Sequence, residues 1–210
     1  MTNIYRVLEI KKNGKWNTVK WYIPKENTFY TEETDVHKAK SSKTDNEVEL
    51  VEVSDLPGHP MNLRDNFLST HGFAEDGISD KGFPEDMSED SKKELSGEYL
   101  HSKTYYTLSD LYALVQEWVN KREKKQAEID EKKFLRKLRI VLGPQSNTEE
   151  GKETEFQEDI DDKEDMELLN EKVECLENEI TYIHNILTVT GLDWAHIIND
   201  NDVRVIAALG

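Results

Sequence analysis

Cysteine and long apolar runs are scarce in this 210-residue sequence. The single Cys175 excludes an internal disulfide framework and is typical of a reducing compartment. No stretch approaches the roughly 18 consecutive apolar residues of a membrane-spanning helix, so we expect no membrane partner. Positive charge is scarce too, because 27 Lys and Arg stand against 44 Asp and Glu, a net charge of −17. This charge repels a phosphate backbone, so we expect no direct sequence-specific binding of nucleic acid, and it attracts basic partners.

The sequence signatures of catalysis and of metal binding are missing as well. The six histidines are scattered, and no pair has the helical i, i+4 spacing of a zinc site beside a carboxylate. There is no Gly-rich phosphate loop and no Gly-x-Ser-x-Gly nucleophile elbow. We therefore expect no enzyme activity, no catalytic residue, no bound metal and no cofactor. An enzyme acting on a nucleotide is the third alternative for the function, and His101 with Asp86 is the pair that would carry it.

What the sequence does contain begins with strand patterns. Residues Ile4 to Ile23 predict a β-hairpin, because Asn13-Gly14 favours the positive φ angles of a type I′ turn. Lys25 to Asn46 is polar without a clear period and predicts a loop. Glu47 to Val53 alternates apolar and polar residues, which predicts a further strand.

A helix is predicted farther along, after a loop-rich segment from Gly72 to Leu95. Thr107 is a candidate N-cap with Asp110 three residues later, and apolar residues recur at helical spacing from there. The helix continues, with a possible break, through Lys121 to Leu142, where a Gly-Pro pair stops it. Between residues 120 and 140 its local charge is +5, which favours a solvated helix face.

The acidic residues are concentrated in one stretch. Residues 145–179 contain fifteen acids and three lysines, a charge of −12 out of the total of −17. Residues 144–165 have almost nothing to bury, so we expect an acidic flexible linker. A solvated spacer is the simplest interpretation, and mimicry of nucleic-acid phosphates is the functional alternative.

The segment after this stretch has a heptad pattern typical of a helix. The apolar positions recur at spacings of 3 and 4, and they are Leu169, Val173, Leu176, Ile180, Ile183 and Leu187. This stripe could pack within the chain, form a homodimer through the heptad helix, or dock into a partner's groove. We expect an α+β fold with a β-hairpin-containing domain at residues 1–143, the linker at 144–165, and a C-terminal helical segment at 166–210. The last apolar residues, 203–209, fit either a short helix or a strand.

Charge alone does not choose a partner, so an apolar contact patch is needed as well. Trp16, Trp21 and Tyr22 on the hairpin are candidates for that patch. The other candidates lie on the heptad stripe, and they are Leu169, Val173, Leu176 and Ile180. The alternative for every one of them is ordinary core, since large apolar residues are usually buried.

Two stretches in the middle of the chain carry distinctive short motifs. Residues 82–88, Gly-Phe-Pro-Glu-Asp-Met-Ser, resemble the Gly-Leu-Pro-x-Asp-x-Ser segment of a family of small tailed-phage proteins. Residues 101–111 carry a His-Ser pair and then Tyr-Tyr-Thr-Leu-Ser-Asp-Leu, where the family has Tyr-Leu-Thr-Leu-x-Glu-Leu. An upstream piece, residues 64–68, is similar to the family's Arg-Asn-Tyr-x-Leu-Phe. The resemblance covers about 50 residues and implies no activity by itself.

The opening hairpin and the acidic character resemble a class of early proteins from large staphylococcal phages that bind the housekeeping σ factor. That resemblance implies a non-enzymatic protein in the cytoplasm of the bacterial host, which binds RNA polymerase through σ and inhibits or redirects host transcription. The alternative is a DNA mimic or anti-defence protein that inhibits a host nuclease or signalling protein.

Overall fold

The computed structural model describes residues 4–24, 36–40, 47–53, 68–69, 72–73, 81–97, 99–142, 149–192 and 199–210. The helices and strands of these residues are, in chain order, β1 (Ile4–Lys12), β2 (Lys15–Thr18), β3 (Trp21–Pro24), β4 (Val36–Lys40), β5 (Glu47–Val53), β6 (Leu68–Ser69), β7 (Gly72–Phe73), α1 (Glu89–Glu94), β8 (His101–Thr107), α2 (Leu108–Leu142), α3 (Glu149–Val189), a 3-10 turn (Asp200–Asp202) and β9 (Val203–Leu209). Antiparallel sheets are combined with two long helices, which confirms the predicted α+β class.

The chain divides into two compact units. Unit 1 comprises Met1–Asp110 and Ile180–Gly210, and unit 2 comprises Leu111–Glu179. The predicted boundaries at residues 143 and 165 differ from these. The reason is that the two long helices pair with each other inside unit 2, so the chain is not divided where the first of them ends.

Unit 1 is built on a four-stranded antiparallel sheet in the order β2-β1-β9-β8. All seven residues of β9 are buried, as expected of a central strand covered on both faces. Its pattern therefore lacks the polar–apolar alternation that reveals a strand with one solvated face. Residues 203–209, predicted as either a short helix or a strand, are a strand that pairs with β1 and β8, so the predicted helical segment at 166–210 does not extend over them.

The turn of the predicted hairpin is confirmed. Asn13 and Gly14 have φ angles of 52° and 76°, the left-handed conformation that both central residues of a type I′ turn require. The hairpin is shorter than predicted, because its second arm ends at Thr18. Trp21–Pro24 pairs instead with β5 in a second sheet of order β3-β5-β4.

The second sheet confirms one predicted strand and corrects one predicted loop. Glu47–Val53 is a strand, as its alternation indicates. Val36–Lys40 is also a strand, paired antiparallel with it, although Lys25 to Asn46 was predicted as loop. Its composition is poor in strand-forming residues, so its structure depends on the partner strand, which a local pattern cannot reveal.

The helix start at Thr107 is confirmed in atomic detail. The backbone N–H of Asp110 donates to Thr107 Oγ1 (3.1 Å), and the backbone N–H of Thr107 donates to Asp110 Oδ2 (2.8 Å). This reciprocal pair satisfies two donors that the first helical turn leaves open. From there α2 runs without a break to Leu142.

The predicted acidic linker is wrong from Glu149 onward, because α3 begins there and continues to Val189. Residues 144–148 lie outside the described part of the chain. Glu and Lys are good helix formers, and carboxylates near the helix N-terminus are favourable. In unit 2 this helix pairs with the basic helix α2, and the pairing provides stabilising contacts that a solvated acidic run does not have.

One face of the main sheet in unit 1 is covered by residues 81–100. Val7 of β1 and Ile206 of β9 form a buried cluster with Met87 and Leu95. Three partly buried side chains pack against this cluster, and they are Phe83, Leu100 and Tyr105. This segment thus lies on the sheet and positions the polar groups described next.

Candidate functional site

Four of the seven predicted contact residues are buried in this structure. Trp21 is 7% exposed, and the heptad residues Val173, Leu176 and Ile180 are 3%, 0% and 7% exposed. They are core residues in this structure, which is the alternative that the sequence left open, and a partner patch on them stays a prediction. The homodimer through the same heptad stripe also stays a prediction.

The other three predicted residues keep part of their surface. Leu169 is half-buried on α3, and Tyr22 is 48% exposed. The Tyr22 hydroxyl donates to Glu52 Oε1 (3.1 Å), and this carboxylate raises the pKa of Tyr22. Trp16 is half-buried, with the Arg204 guanidinium stacked on its ring at 3.9 Å from the centroid.

Arg204 is the centre of a polar cluster in unit 1. It is 4% exposed on β9, and it donates to Glu9 Oε2 of β1 from Nε (2.9 Å), with a second nitrogen at 2.7 Å. A third nitrogen donates to Asp86 Oδ1 (2.7 Å), and the Trp16 indole N–H donates to Asp86 Oδ2 (2.8 Å). The bond from Arg204 is the main reason that the pKa of Asp86 is lowered.

A group of three hydroxyls continues the cluster toward α1. Thr18 Oγ1 lies 2.6 Å from Ser88 Oγ and 2.7 Å from Ser91 Oγ. The Ser88 backbone N–H donates to Glu9 Oε1 (2.8 Å), so Glu9 is bonded on both oxygens. Asp86 and Ser88 therefore attach residues 86–91 to the hairpin and to β9.

An open pocket of about 610 Å³ lies beside this cluster, and we call it the edge pocket. It is lined by Gly14, Lys15, Trp16, Asn17, Thr18 and Lys20 of the hairpin region and by residues 86–90.

Asp86 holds Arg204 and Trp16, so its carboxylate is not poised for general acid–base chemistry. The side chain of His101, its partner in the enzyme alternative, lies outside the described residues. Among the residues that the structure describes, no group of three or more His, Cys, Asp or Glu could hold a metal ion.

Unit 2 has its own charged contacts between α2 and α3. Lys125 Nζ lies 3.0 Å from Asp162 Oδ1 and 2.6 Å from Asp165 Oδ2, and Lys132 Nζ lies 3.1 Å from Asp162. These contacts raise the pKa of Lys125 and lower the pKa of Asp162. Nearer the start of α2, Lys172 of α3 stacks on the buried Trp118 ring at 4.0 Å.

The outer side of α3 presents a row of carboxylates, which we call the acid row. It consists of Glu164, Glu167, Glu171 and Glu174, all exposed and spaced by 3, 4 and 3 residues. At 1.5 Å of rise per residue, the four side chains span about 15 Å along one helix face. The buried Val173 and Leu176 lie on the opposite face, so the helix separates its acids from its core contacts.

Sequence reasoning missed Glu9 and Arg204. A signal was present for Arg204, the one charged residue of an otherwise apolar strand, whereas β1 carries Arg6, Lys11 and Lys12 besides Glu9. What the sequence does not give is their pairing across 195 positions.

Comparison with known proteins identifies no relative. No protein-family model matches the chain, and neither the curated proteins nor the solved structures include a significant match. Within the described part of the chain, no helix is long and apolar enough to cross a membrane.

Proposed function

We propose that this chain is a phage-encoded, non-enzymatic protein that binds host RNA polymerase through its σ factor and so inhibits or redirects host transcription. The phage origin rests on the resemblance of residues 82–88 and 101–111 to tailed-phage proteins. The observation that carries the binding proposal is the acid row, an ordered set of carboxylates on a helix that is anchored to its neighbour.

The helical order of the acid row matters for binding. A flexible acidic tail attracts a basic protein without fixing the positions of its charges, whereas a helix holds its charges at fixed spacing. Lys125 and Lys132 anchor α3 through Asp162, and this leaves the acid row on the outside of the helix pair. The promoter-reading domain of a σ factor is a basic helix-turn-helix module built to meet phosphates. A fixed acidic face would steer such a module into contact and present carboxylates where phosphates are expected.

The test is binding of the purified full-length chain to purified σ factor, followed as association rate against ionic strength. Replacing Glu164, Glu171 and Glu174 with Gln removes three charges from the acid row, and we expect the association rate at low salt to fall about tenfold. The matched control replaces the exposed Glu85, Glu94 and Glu131 with Gln, which removes the same charge elsewhere and should change the rate less than about twofold. If neither σ nor core polymerase binds the unmodified chain, the proposal is wrong.

The acid row also favours the second candidate, a DNA mimic that inhibits a host nuclease or signalling protein. Its carboxylates are about 5 Å apart along the helix, which is comparable to the charge spacing of about 3.4 Å along one DNA strand. A mimic depends on these charges for most of its affinity, so the triple Gln variant would lose binding entirely. A σ ligand anchored by apolar contacts would keep a measurable affinity and lose mainly association rate.

A further inference from the structure

The strand β2 is one edge of the main sheet, and its residues line the edge pocket. Lys15 and Asn17 lie opposite Lys12 and Ile10 of β1, and the N–H of Val19 donates to Leu8 O (2.8 Å). Because inward and outward groups alternate along an antiparallel strand, the N–H and C=O groups of Trp16 and Thr18 point away from β1. In the described ranges, β1 is the only strand paired with β2.

The opposite edge of the same sheet, β8, is treated differently. The N–H of Gly82 donates to Lys103 O (2.7 Å), and Lys81 Nζ donates to Tyr105 O (3.4 Å). The outer side of β8 is thus covered by the chain itself, as natural sheets commonly arrange to prevent unwanted pairing. The β2 edge therefore borders a pocket, whereas the β8 edge is covered by Lys81 and Gly82.

The edge pocket has a chemistry of its own. Three acidic side chains at its lining are well exposed, with Asp86 at 64%, Glu89 at 88% and Asp90 at 58%. The ammonium of Lys20 is held by Asp90 at 2.8 Å and by Glu52 at 3.8 Å, and the bond to Asp90 is the main reason that its pKa is raised. Asp86 and Glu89 also contact one cation each, Arg204 at 2.7 Å and Lys92 at 2.6 Å, so the pocket can offer a further cationic side chain only the exposed parts of these carboxylates.

We propose that β2 accepts an extended segment of a partner protein as an added strand, with a Lys or Arg side chain of that segment seated in the edge pocket. Main-chain hydrogen bonds to Trp16 and Thr18 supply affinity, and the pocket selects a cation at alternate positions. The occupant is a basic extended peptide because acids outnumber bases in the lining and the whole chain carries −17. This surface lies in unit 1, so it goes beyond the proposed function and does not depend on the acid row.

The probe is a 12-residue peptide of alternating Val and Lys, titrated against the full chain while the amide signals are followed by NMR. Binding should move the amide signals of Trp16 and Thr18 most. A second peptide with the same charges is N-methylated at its six central residues, which blocks main-chain pairing on both edges. We expect the second peptide to bind at least about tenfold more weakly, since it lacks the main-chain bonds.

Two protein variants separate the pocket from general attraction. Replacing Glu89 and Asp90 with Lys reverses the pocket charges, whereas replacing Glu85 and Glu94 with Lys makes the same charge change outside the pocket lining. The first variant should weaken the Val-Lys peptide about tenfold and the second less than about threefold. Equal binding of the two peptides, equal loss in the two variants, or no binding at millimolar peptide would each overturn the proposal. If the unmodified chain binds the Val-Lys peptide but does not bind σ factor, only the proposed function is overturned.

Discussion

The two units hold their charges in opposite ways. In unit 1, Arg204 and Glu9 are 4% and 0% exposed and lie 195 positions apart in the sequence. In unit 2, Lys125 and Lys132 are 21% and 46% exposed, and they meet a nearly buried carboxylate, Asp162 at 9%, from 37 and 30 positions away. A pair buried on both sides leaves an unpaired charge in the interior when one partner is removed, whereas lysines that reach water keep their solvation when they lose their partner. Breaking the first pair should therefore destabilise unit 1 more than breaking the second destabilises unit 2.

The largest expected effect is on the buried pair. Replacing Arg204 with Met leaves the Glu9 carboxylate buried without its cation, and we expect a loss of about 3–5 kcal/mol in the free energy of unfolding. The double variant Glu9→Leu with Arg204→Met should recover most of this loss, because the only carboxylate left without its cation is Asp86, which is 64% exposed. Urea denaturation measures both. A loss below about 1 kcal/mol for the single variant would contradict the assignment of Arg204 as the centre of the cluster.

The next effect distinguishes a helix from the linker that the sequence predicts. Lys163 is an exposed residue in the interior of α3, and Lys163→Pro should cost about 3 kcal/mol and lower the helical circular dichroism signal. Lys163→Ala is the matched control and should leave the helix signal unchanged. Residues 144–165 would tolerate the proline without change if they were a flexible linker.

The charge cluster of unit 2 should matter less, because its two lysines retain access to water. Replacing Asp162 with Asn removes contacts to Lys125 and Lys132, and we expect a loss of about 1 kcal/mol or less. This loss should shrink further near 1 M salt, where the screening length is about 3 Å, whereas the Arg204→Met loss should persist. Equal salt dependence for the two variants would remove the distinction drawn between the units.

The smallest effect concerns pH and His184, a half-buried residue of α3 within unit 1. Burial lowers the pKa of His184, so the unfolded chain takes up a proton near pH 6.5 while the folded chain remains neutral. Since the unfolded state then binds more protons, stability should fall as pH drops below about 6.5 toward the folded pKa. His184→Gln should reduce the pH dependence of the unfolding midpoint between pH 7 and 5.5. If the pH dependence is unaltered, it arises from other titratable groups.

Acid should act separately on the two carboxylates that hold cations. The pKa of Asp86 and that of Asp162 are both lowered, by Arg204 and by Lys125 respectively. Their contributions are present above the ordinary carboxyl pKa of about 4 and are lost as pH falls through the lower folded values.

Local patterns predicted the local parts of this fold. The Asn13-Gly14 turn, the strand at Glu47–Val53 and the capped helix start at Thr107 each depend on residues within a few positions of one another. The structures that the sequence did not predict depend on distant partners. Val36–Lys40 is a strand because β5 lies beside it, and the acidic run is helical because a basic helix pairs with it.

In the candidate site, too, the sequence predicted local features and did not predict contacts between distant residues. Trp16 and the abundance of acid could be read from composition, yet Trp16 acquires its role from Arg204 and Asp86, which no spacing connects to it. The heptad stripe correctly indicated an amphipathic helix. Burial then assigned Val173, Leu176 and Ile180 to the interior, and a single sequence does not say whether such a stripe meets its own chain or another.

The position of β9 between β1 and β8 has a kinetic consequence. The ladder between β1 and β9 joins residues about 200 positions apart. Closing so long a loop costs conformational entropy, and this cost slows folding. The helix pair of unit 2 forms from nearby residues and brings Trp118 next to Lys172, which removes more than 50 residues from the loop between β8 and β9. We therefore expect refolding to show an early helical phase, with the Trp16 fluorescence change arriving later, when β9 enters the sheet.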